Sequence, residues 1–380
     1  MKQFIKAFKR RIYKLGHKIF SAILFYWPEC LLNYRTKRFM ANKMDNLDHN
    51  GLVFRDDLSE NLKMILSSED LAKHNVVDKV SFDIAKCYVA YGITPDEYFL
   101  HSFIDKRASY RRTVLSRKHK DDECVKYIGR DIAFYFNQLK DKWEFYSITS
   151  PYFKRDVVRV DSGADFSLIE SFCIKHPVFI AKPRMASSGI GVQKVDCSRW
   201  DSIRSLFVYF CHENDGLWLF EELIEQDPQM AAWHPSSVNT IRIPSIMTKK
   251  GPVVILPLFR TGINGNLVDN CHNNGGLMSV PDAKTGVIIS DGYDIYTNAI
   301  KAHPNSGIIF KGYQIPKWQE LIDTAAAVHR SLPSKHKYVG FDFALTKDGW
   351  VLVEGNWGNF PHQVCVGYGI RKEFERLMRS

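Results

Sequence analysis

Apolar and polar positions change rhythm about a third of the way along this chain. Residues 45–140 carry apolar side chains at helical spacing, whereas from Asp141 short apolar runs of strand length alternate with helical stretches. In the first region Thr94-Pro95-Asp96-Glu97 predicts a helix start, with a Thr cap, proline in the first turn and a carboxylate three residues after the cap. Asp121 to Leu139 places Val125, Ile128, Ile132, Phe136 and Leu139 on one helical face, a pattern that predicts core packing. Beyond it, strands are expected at Val178–Ala181, Gly216–Ile224, Ser236–Ile243 and Val253–Arg260, and a helix at Pro316–Leu332.

The last strands organise the rest. Tyr338–Thr346 and Trp350–Gly355 flank Lys347-Asp348-Gly349, which reads as a three-residue hairpin loop with glycine at its left-handed position. That register puts Asp342 directly opposite Glu354, with Asn356 following on the same face. Phe341, Phe343, Leu345, Val351 and Val353 then form the core-facing set. Opposed carboxylates repel and destabilise a sheet unless something compensates. A shared proton, a hard cation such as Mg²⁺ or exposure of the pair at a solvated edge would each do so.

Three other stretches carry candidate chemistry. Strand Val178–Ala181 runs into Lys182 and the small-residue loop Arg184 to Val192, whose backbone N–H groups could approach phosphate, although the lysine precedes the glycines and no Walker A motif is present. Arg242 and Arg260 sit among apolar strand residues, and a guanidinium in such a place requires an anionic partner, either a structural carboxylate or a phosphate. The polar loop Leu267 to Gly276 holds His272, a ligand or base by chemistry but a solvated loop histidine by the ordinary reading. The cluster Arg107, Arg111, Arg112, Arg117, Lys118 and Lys120 reads as a solvated face.

Composition changes the picture at one end only. The chain has 45% hydrophobic and 25% charged residues, which argues for ordinary globular packing, and its length of 380 residues allows two or three packed units. The net charge of +10 is concentrated in the first eighteen residues, where Lys2, Lys6, Lys9, Arg10, Arg11, Lys14 and Lys18 meet no acid. The following apolar run Ile19–Trp27 is too short to span a bilayer, which takes ~20 residues. Residues 1–32 are expected to lie on an anionic membrane surface, with packing on the chain's own core as the alternative and nucleic acid fitting less well. Eight cysteines show neither a CxxC pair nor Cys/His metal spacing, which suits a reduced, cytoplasmic setting, peripheral on the inner membrane face.

The order of these elements resembles the ATP-grasp superfamily, and in SSVNTIRI, the DN…NGG loop and GFDFAL…VLVEGN it resembles the sugar-transfer associated ATP-grasp group. The resemblance covers about Asp141 to Gln363 and implies an α+β fold in which two α+β subdomains clamp ATP, preceded by a mainly helical region. The expected divisions are 1–44 (membrane-surface segment), 45–140 (helical region), 141–225 (lid subdomain) and 226–380 (C-terminal subdomain). By resemblance Lys142 and Lys182 match the phosphate lysines, Ser187, Ser188 and Gly189 the lid, and Glu221, Leu223 and Ile224 the adenine-reading hinge. Arg242 matches a phosphate or acyl-phosphate arginine, with Arg260 as a second candidate for stabilising the tetrahedral intermediate, and Asp342, Glu354 and Asn356 match ligands for one or two Mg²⁺. Glu225 and Asp227 both stand where a ribose-binding acid is expected.

What the resemblance implies is an ATP-dependent carboxylate–amine ligase working through an acyl-phosphate on small-molecule or glycan-linked substrates, in cell-surface polysaccharide or related biosynthesis. The alternatives are a kinase-like phosphotransferase and a membrane-recruited ATP-binding module without ligase activity.

Overall fold

The computed structural model describes residues 29–43, 74–186, 189–213, 216–266, 269 and 275–380. Residues 1–28, Ser187, Ser188 and His272, on which earlier expectations fall, lie outside the described residues. Contacts divide the chain into two units, one ending at Asp122 and including Tyr368–Lys372, the other comprising Glu123–Gly367 and Glu373–Ser380.

The first unit is helical. Helix α1 (Glu29–Lys43) packs on α2 (His74–Tyr91), and α3 (Pro95–Leu100) begins where the sequence predicts. Pro95 occupies its first turn and Thr94 N donates to Glu97 Oε2 at 3.1 Å, closing half of a capping box. Leu32, Ile84, Ile93, Tyr98, Phe103 and Val114 form its core. The basic cluster is not a uniformly solvated face. Arg111 donates to Asp83 Oδ1 at 2.9 Å, and Lys120, only 1% exposed, pairs with Asp121 at 3.2 Å, so part of this charge is neutralised internally.

The expected continuous helix over Asp121–Leu139 is broken. A helix ends at Ile128, a 3₁₀ turn covers Gly129–Asp131, and α4 (Ile132–Lys140) follows. Gly129 adopts φ +72°, which ends the first helix and turns its apolar stripe. Ile128 and Leu139 are buried, but Val125 and Phe136 are exposed; before the break the buried stripe is Lys120, Cys124 and Ile128, and Val125 lies off it.

In the second unit, α5 (Lys142–Thr149) leads into a four-stranded antiparallel sheet of order β1-β4-β2-β3: β1 (Val157–Val160), β2 (Val178–Pro183), β3 (Gln193–Asp196) and β4 (Trp218–Glu222). Helices α6 (Phe166–Lys175) and α7 (Ile203–His212) belong to the same layer, with Ile169, Phe172, Phe179, Leu206, Phe210 and Phe220 sharing one core.

The second sheet holds β5 (Thr240–Thr248), β6 (Gly251–Val254), β7 (Leu258–Thr261), β8 (Leu277–Ser279), β9 (Gly292–Tyr293), β10 (Ala299–Ile300), β11 (Tyr338–Thr346) and β12 (Gly349–Asn356). Its order is β10-β9-β8-β7-β5-β11-β12, with β6 also pairing β5. The single strand expected over Val253–Arg260 is therefore two, separated at Ile255-Leu256-Pro257, where Leu256 takes φ +45° and proline cannot donate to a ladder. Helix α8 (Trp318–Ser331) covers this sheet, and its Leu321, Ala325 and Val328 pack in the core with Ile241, Ile243, Phe341 and Phe343.

The hairpin corrects the predicted register. Thr346 pairs with Gly349, so the loop has two residues, Lys347 and Asp348, and Phe343 pairs with Leu352. A register shift between Phe343 and Asp342 leaves Val353 unpaired, a β-bulge, and restores Asp342 opposite Glu354. The acids meet as predicted, but the β12 residues that join Phe341 and Phe343 in the core are Trp350 and Leu352, while Val351, also buried, pairs with Ala344 and Val353 is only half-buried. The bulge turns the strand so that Val353 and Glu354 come to the cleft described below.

Candidate active site

Three adjacent strands present one charged row. Arg242 on β5 stands directly opposite Asp342 on β11, which stands directly opposite Glu354 on β12. Ile241 and Ile243 turn into the core, as period-two alternation requires, which leaves Arg242 on the other face. Arg242 Nε and Nη2 donate to the two Asp342 oxygens, each at 2.8 Å, and Arg260 Nη2 reaches Asp342 Oδ2 at 2.9 Å. Asn356 Nδ2 donates to the same oxygen at 3.2 Å, while Asn356 Oδ1 is buried without a partner. Burial alone would push the Asp342 carboxyl up, but the Arg242 and Arg260 guanidiniums outweigh it and hold the group at about 2. Glu354 goes the other way: burial, then the neighbouring Asp342 charge, pushes its carboxyl up against the pull of Lys142 and Lys182. Two carboxylates and an unpartnered amide oxygen make an oxygen-only set whose donor chemistry suits a hard divalent cation.

The opposite wall comes from the first sheet. Lys182, near the end of β2, donates from Nζ to Glu221 Oε2 on β4 at 2.9 Å. Arg155 Nη2 reaches that same oxygen at 2.7 Å. Glu221 is 3% exposed, and although burial opposes ionisation, Lys182 and Arg155 hold its carboxyl at about 2. Asp141 caps α5 through Trp143 N at 2.9 Å and pairs with Arg184 Nη2 at 2.6 Å, so the first residue of the helix, Lys142, is fixed beside the loop that follows β2. Lys142 Nζ donates to Pro183 O at 3.2 Å and to Ala186 O, and burial lowers its pKa. Gly189 and Gly191 in that loop adopt φ +73° and +75°, left-handed conformations that glycine tolerates. Lys142, Glu221, Val353, Glu354 and Gly355 line one cavity, with Phe145 and Phe153 as its apolar side.

The sequence model of the sugar-transfer associated ATP-grasp family matches residues 132–378, which takes in both sheets and every charged group just described. This chain belongs to that family. No curated protein matches it. Solved structures to which this ATP-grasp chain is similar include the ATP-grasp ligase PsnB complexed with a minimal precursor, at 12% identity over 64% of this chain and 61% of that one, TM-score 0.38. D-alanine-D-alanine ligase from Coxiella burnetii aligns at 9% identity over 64% and 57%, TM-score 0.36, and L-amino acid ligase from Bacillus licheniformis at 10% over 58% and 40%, TM-score 0.34. The match spans less than two thirds of each of these chains.

Within the ATP-grasp fold, the anionic partner that the two arginines require is Asp342 itself. Arg260 also donates to Thr240 Oγ1 at 2.8 Å and lies 3.6 Å from Asp269, so both are held in a carboxylate network. Leu223 and Ile224 follow the end of β4, half-buried. Of the two candidate ribose acids, Asp227 caps the turn Pro228–Ala231 through Gln229 N at 2.9 Å, while Glu225 is exposed. Sequence reading missed Arg155, Asp269 and the Asp141–Arg184 pair. Asp269 lay within a loop already marked as polar, but Arg155 sits between Lys154 and Asp156, a context that reads as solvent-facing charge.

Proposed function

We propose that this chain is an ATP-dependent carboxylate–amine ligase, which transfers the γ-phosphoryl group of ATP to a substrate carboxylate and then passes the acyl group to an amine, releasing ADP and phosphate. The observation that carries this reading is the facing of Lys142 and Glu354 across one cavity, with Lys182 close enough to act on the Glu354 charge and Asp342 directly opposite Glu354 in the strand pairing. Lys142 and Lys182 supply positive charge to the triphosphate, for which Lys142 exchanges the Pro183 and Ala186 carbonyls. By resemblance to the family we assign Ser187, Ser188 and Gly189 to a lid that would keep water from the activated acyl group. The backbone of Leu223 and Ile224, just past the end of β4, reads the adenine edge, while Glu221, paired within the sheet on both sides, ends the hinge with its carboxylate engaged by Lys182 and Arg155.

Asp342, Glu354 and Asn356 would hold one or two Mg²⁺, which when bound neutralise phosphate charge and align the γ-phosphoryl for transfer. Arg242 and Arg260 keep Asp342 ionised and stabilise the oxyanion that develops as the amine attacks.

The substrates fit best as small-molecule or glycan-linked carboxylates and amines in cell-surface polysaccharide or related biosynthesis, a reading supported by the family description. Among the described residues no helix is long and apolar enough to cross a membrane. We place the protein in the cytoplasm, peripheral on the inner membrane face through residues 1–32; deletion of that segment should abolish binding to anionic vesicles. The reaction class is tested by adding hydroxylamine to enzyme, MgATP and a panel of carboxylates. A hydroxamate with ADP supports the ligase. A stable phosphorylated product without hydroxamate indicates a kinase-like transfer, and nucleotide binding without turnover across the panel indicates a binding module.

A further inference from the structure

One buried cation touches both sheets. Arg155 has a side chain 4% exposed and lies on the connection between α5 and β1. Its Nε and Nη2 donate to Glu221 Oε2 at 3.2 and 2.7 Å, and its Nη1 donates to Leu352 O at 2.6 Å and Phe153 O at 3.3 Å. Its guanidinium also stacks over the Phe153 ring, 4.6 Å from the centroid. Glu221 in turn orients Lys182, and Leu352 is the residue immediately before the bulge that turns Glu354 toward the cleft. A planar, permanently charged fork can span two such partners with fixed geometry; a lysine point charge cannot.

Resting on the nucleotide site proposed above, we infer that Arg155 is a positioning residue that holds Lys182 and Glu354 in register across the two sheets. One guanidinium acts on the phosphate lysine through Glu221 and on the hairpin acid through the Leu352 carbonyl just before the bulge. Removing it frees both at once. Because Lys182 meets phosphate with or without a cation while Glu354 acts only through one, both ATP and MgATP affinities should fall, and MgATP affinity further.

The test compares the intact chain with Arg155→Lys and Arg155→Ala by calorimetric titration with ATP and with MgATP, with unfolding curves on each variant. Arg155→Lys keeps Glu221 neutralised and is the variant expected to stay folded. Its MgATP affinity should drop by ~10–100-fold, the usual cost of losing a group that orients a ligand set. The MgATP-to-ATP affinity ratio should fall as well, and added guanidinium should partly restore binding to Arg155→Ala. A folded Arg155→Lys whose ratio equals that of the wild type overturns the inference, because a merely structural role would lower stability without changing that ratio. A wild-type chain that binds ATP but gains nothing from Mg²⁺ overturns the inference while leaving nucleotide binding intact. A wild-type chain that binds no nucleotide overturns both this inference and the function on which it rests.

Discussion

Arg242 and Asp342 face each other across adjacent strands and share two parallel hydrogen bonds of 2.8 Å each, with Asp342 wholly buried. A paired charge in such a place is costly to halve and cheap to remove entirely. Arg242→Met alone should therefore destabilise the protein by about 3–5 kcal/mol, and Asp342→Leu by a similar amount. The double variant should regain most of that stability while losing nucleotide turnover, since Arg260 keeps Thr240 and Asp269 as partners. Urea unfolding of the three variants decides; a double variant as unstable as the sum of the singles would mean that Arg242 and Asp342 are not energetically coupled, against the paired-charge reading.

Glu354→Gln separates charge from shape at the next position in the row. Burial and Asp342 already disfavour the ionised carboxyl, so an amide should cost about 1 kcal/mol or less in stability. Mg²⁺-dependent ADP release should nonetheless collapse, because an amide supplies no anionic oxygen to a hard cation. Retained turnover in a folded Glu354→Gln would remove Glu354 from the metal site.

The hairpin was legible because its apolar alternation and its two acids survive any small error in the turn, yet the route to that geometry was not. A two-residue loop plus a bulge at Val353 produces the same Asp342–Glu354 pairing as a three-residue loop without one, and local residue types do not distinguish them. What differs is the β12 core face, where Trp350 is selected by a long-range contact, its Nε1 donating to Lys317 O at 3.0 Å. Arg155 was illegible for the same reason, its partners lying 66 and 197 positions away. The arginines were recognisable as needing an anion, but only the pairing of β5 with β11 identifies it as Asp342.

Gly355 forms part of the cavity wall by having no side chain. A Cβ there would lie 2.4 Å from the Phe145 ring, so Gly355→Ala must displace Phe145 or β12, at about 1–3 kcal/mol. Phe145 and Glu354 line the same cavity, so MgATP affinity should fall along with stability. Gly163→Ala, whose Cβ would meet nothing nearer than Asp161 Oδ1 at 3.5 Å, is the matched control and should change neither. Equal behaviour of the two variants in calorimetric titration and thermal unfolding would contradict the role of this wall.

His329 sets the expected acid limit of the second unit. Its Nε2 donates to His336 O at 2.7 Å and its Nδ1 accepts from Ser245 Oγ at 2.7 Å, a neutral tautomer with both nitrogens occupied. Burial lowers its pKa from 6.5 to about 4. Above pH 6.5 the imidazole is neutral in both the folded and unfolded chains, and its contribution is fully present; as pH falls from 6.5 toward 4 only the unfolded chain takes up the proton, so stability is lost across that window, by at most about 3 kcal/mol. His329→Gln should be less stable than the wild type at pH 7 but show a shallower decline between pH 6.5 and 4.5 in urea unfolding. Parallel pH profiles for the two proteins would mean that His329 titrates in the folded chain much as it does in water, and that the Ser245 and His336 contacts do not hold it neutral.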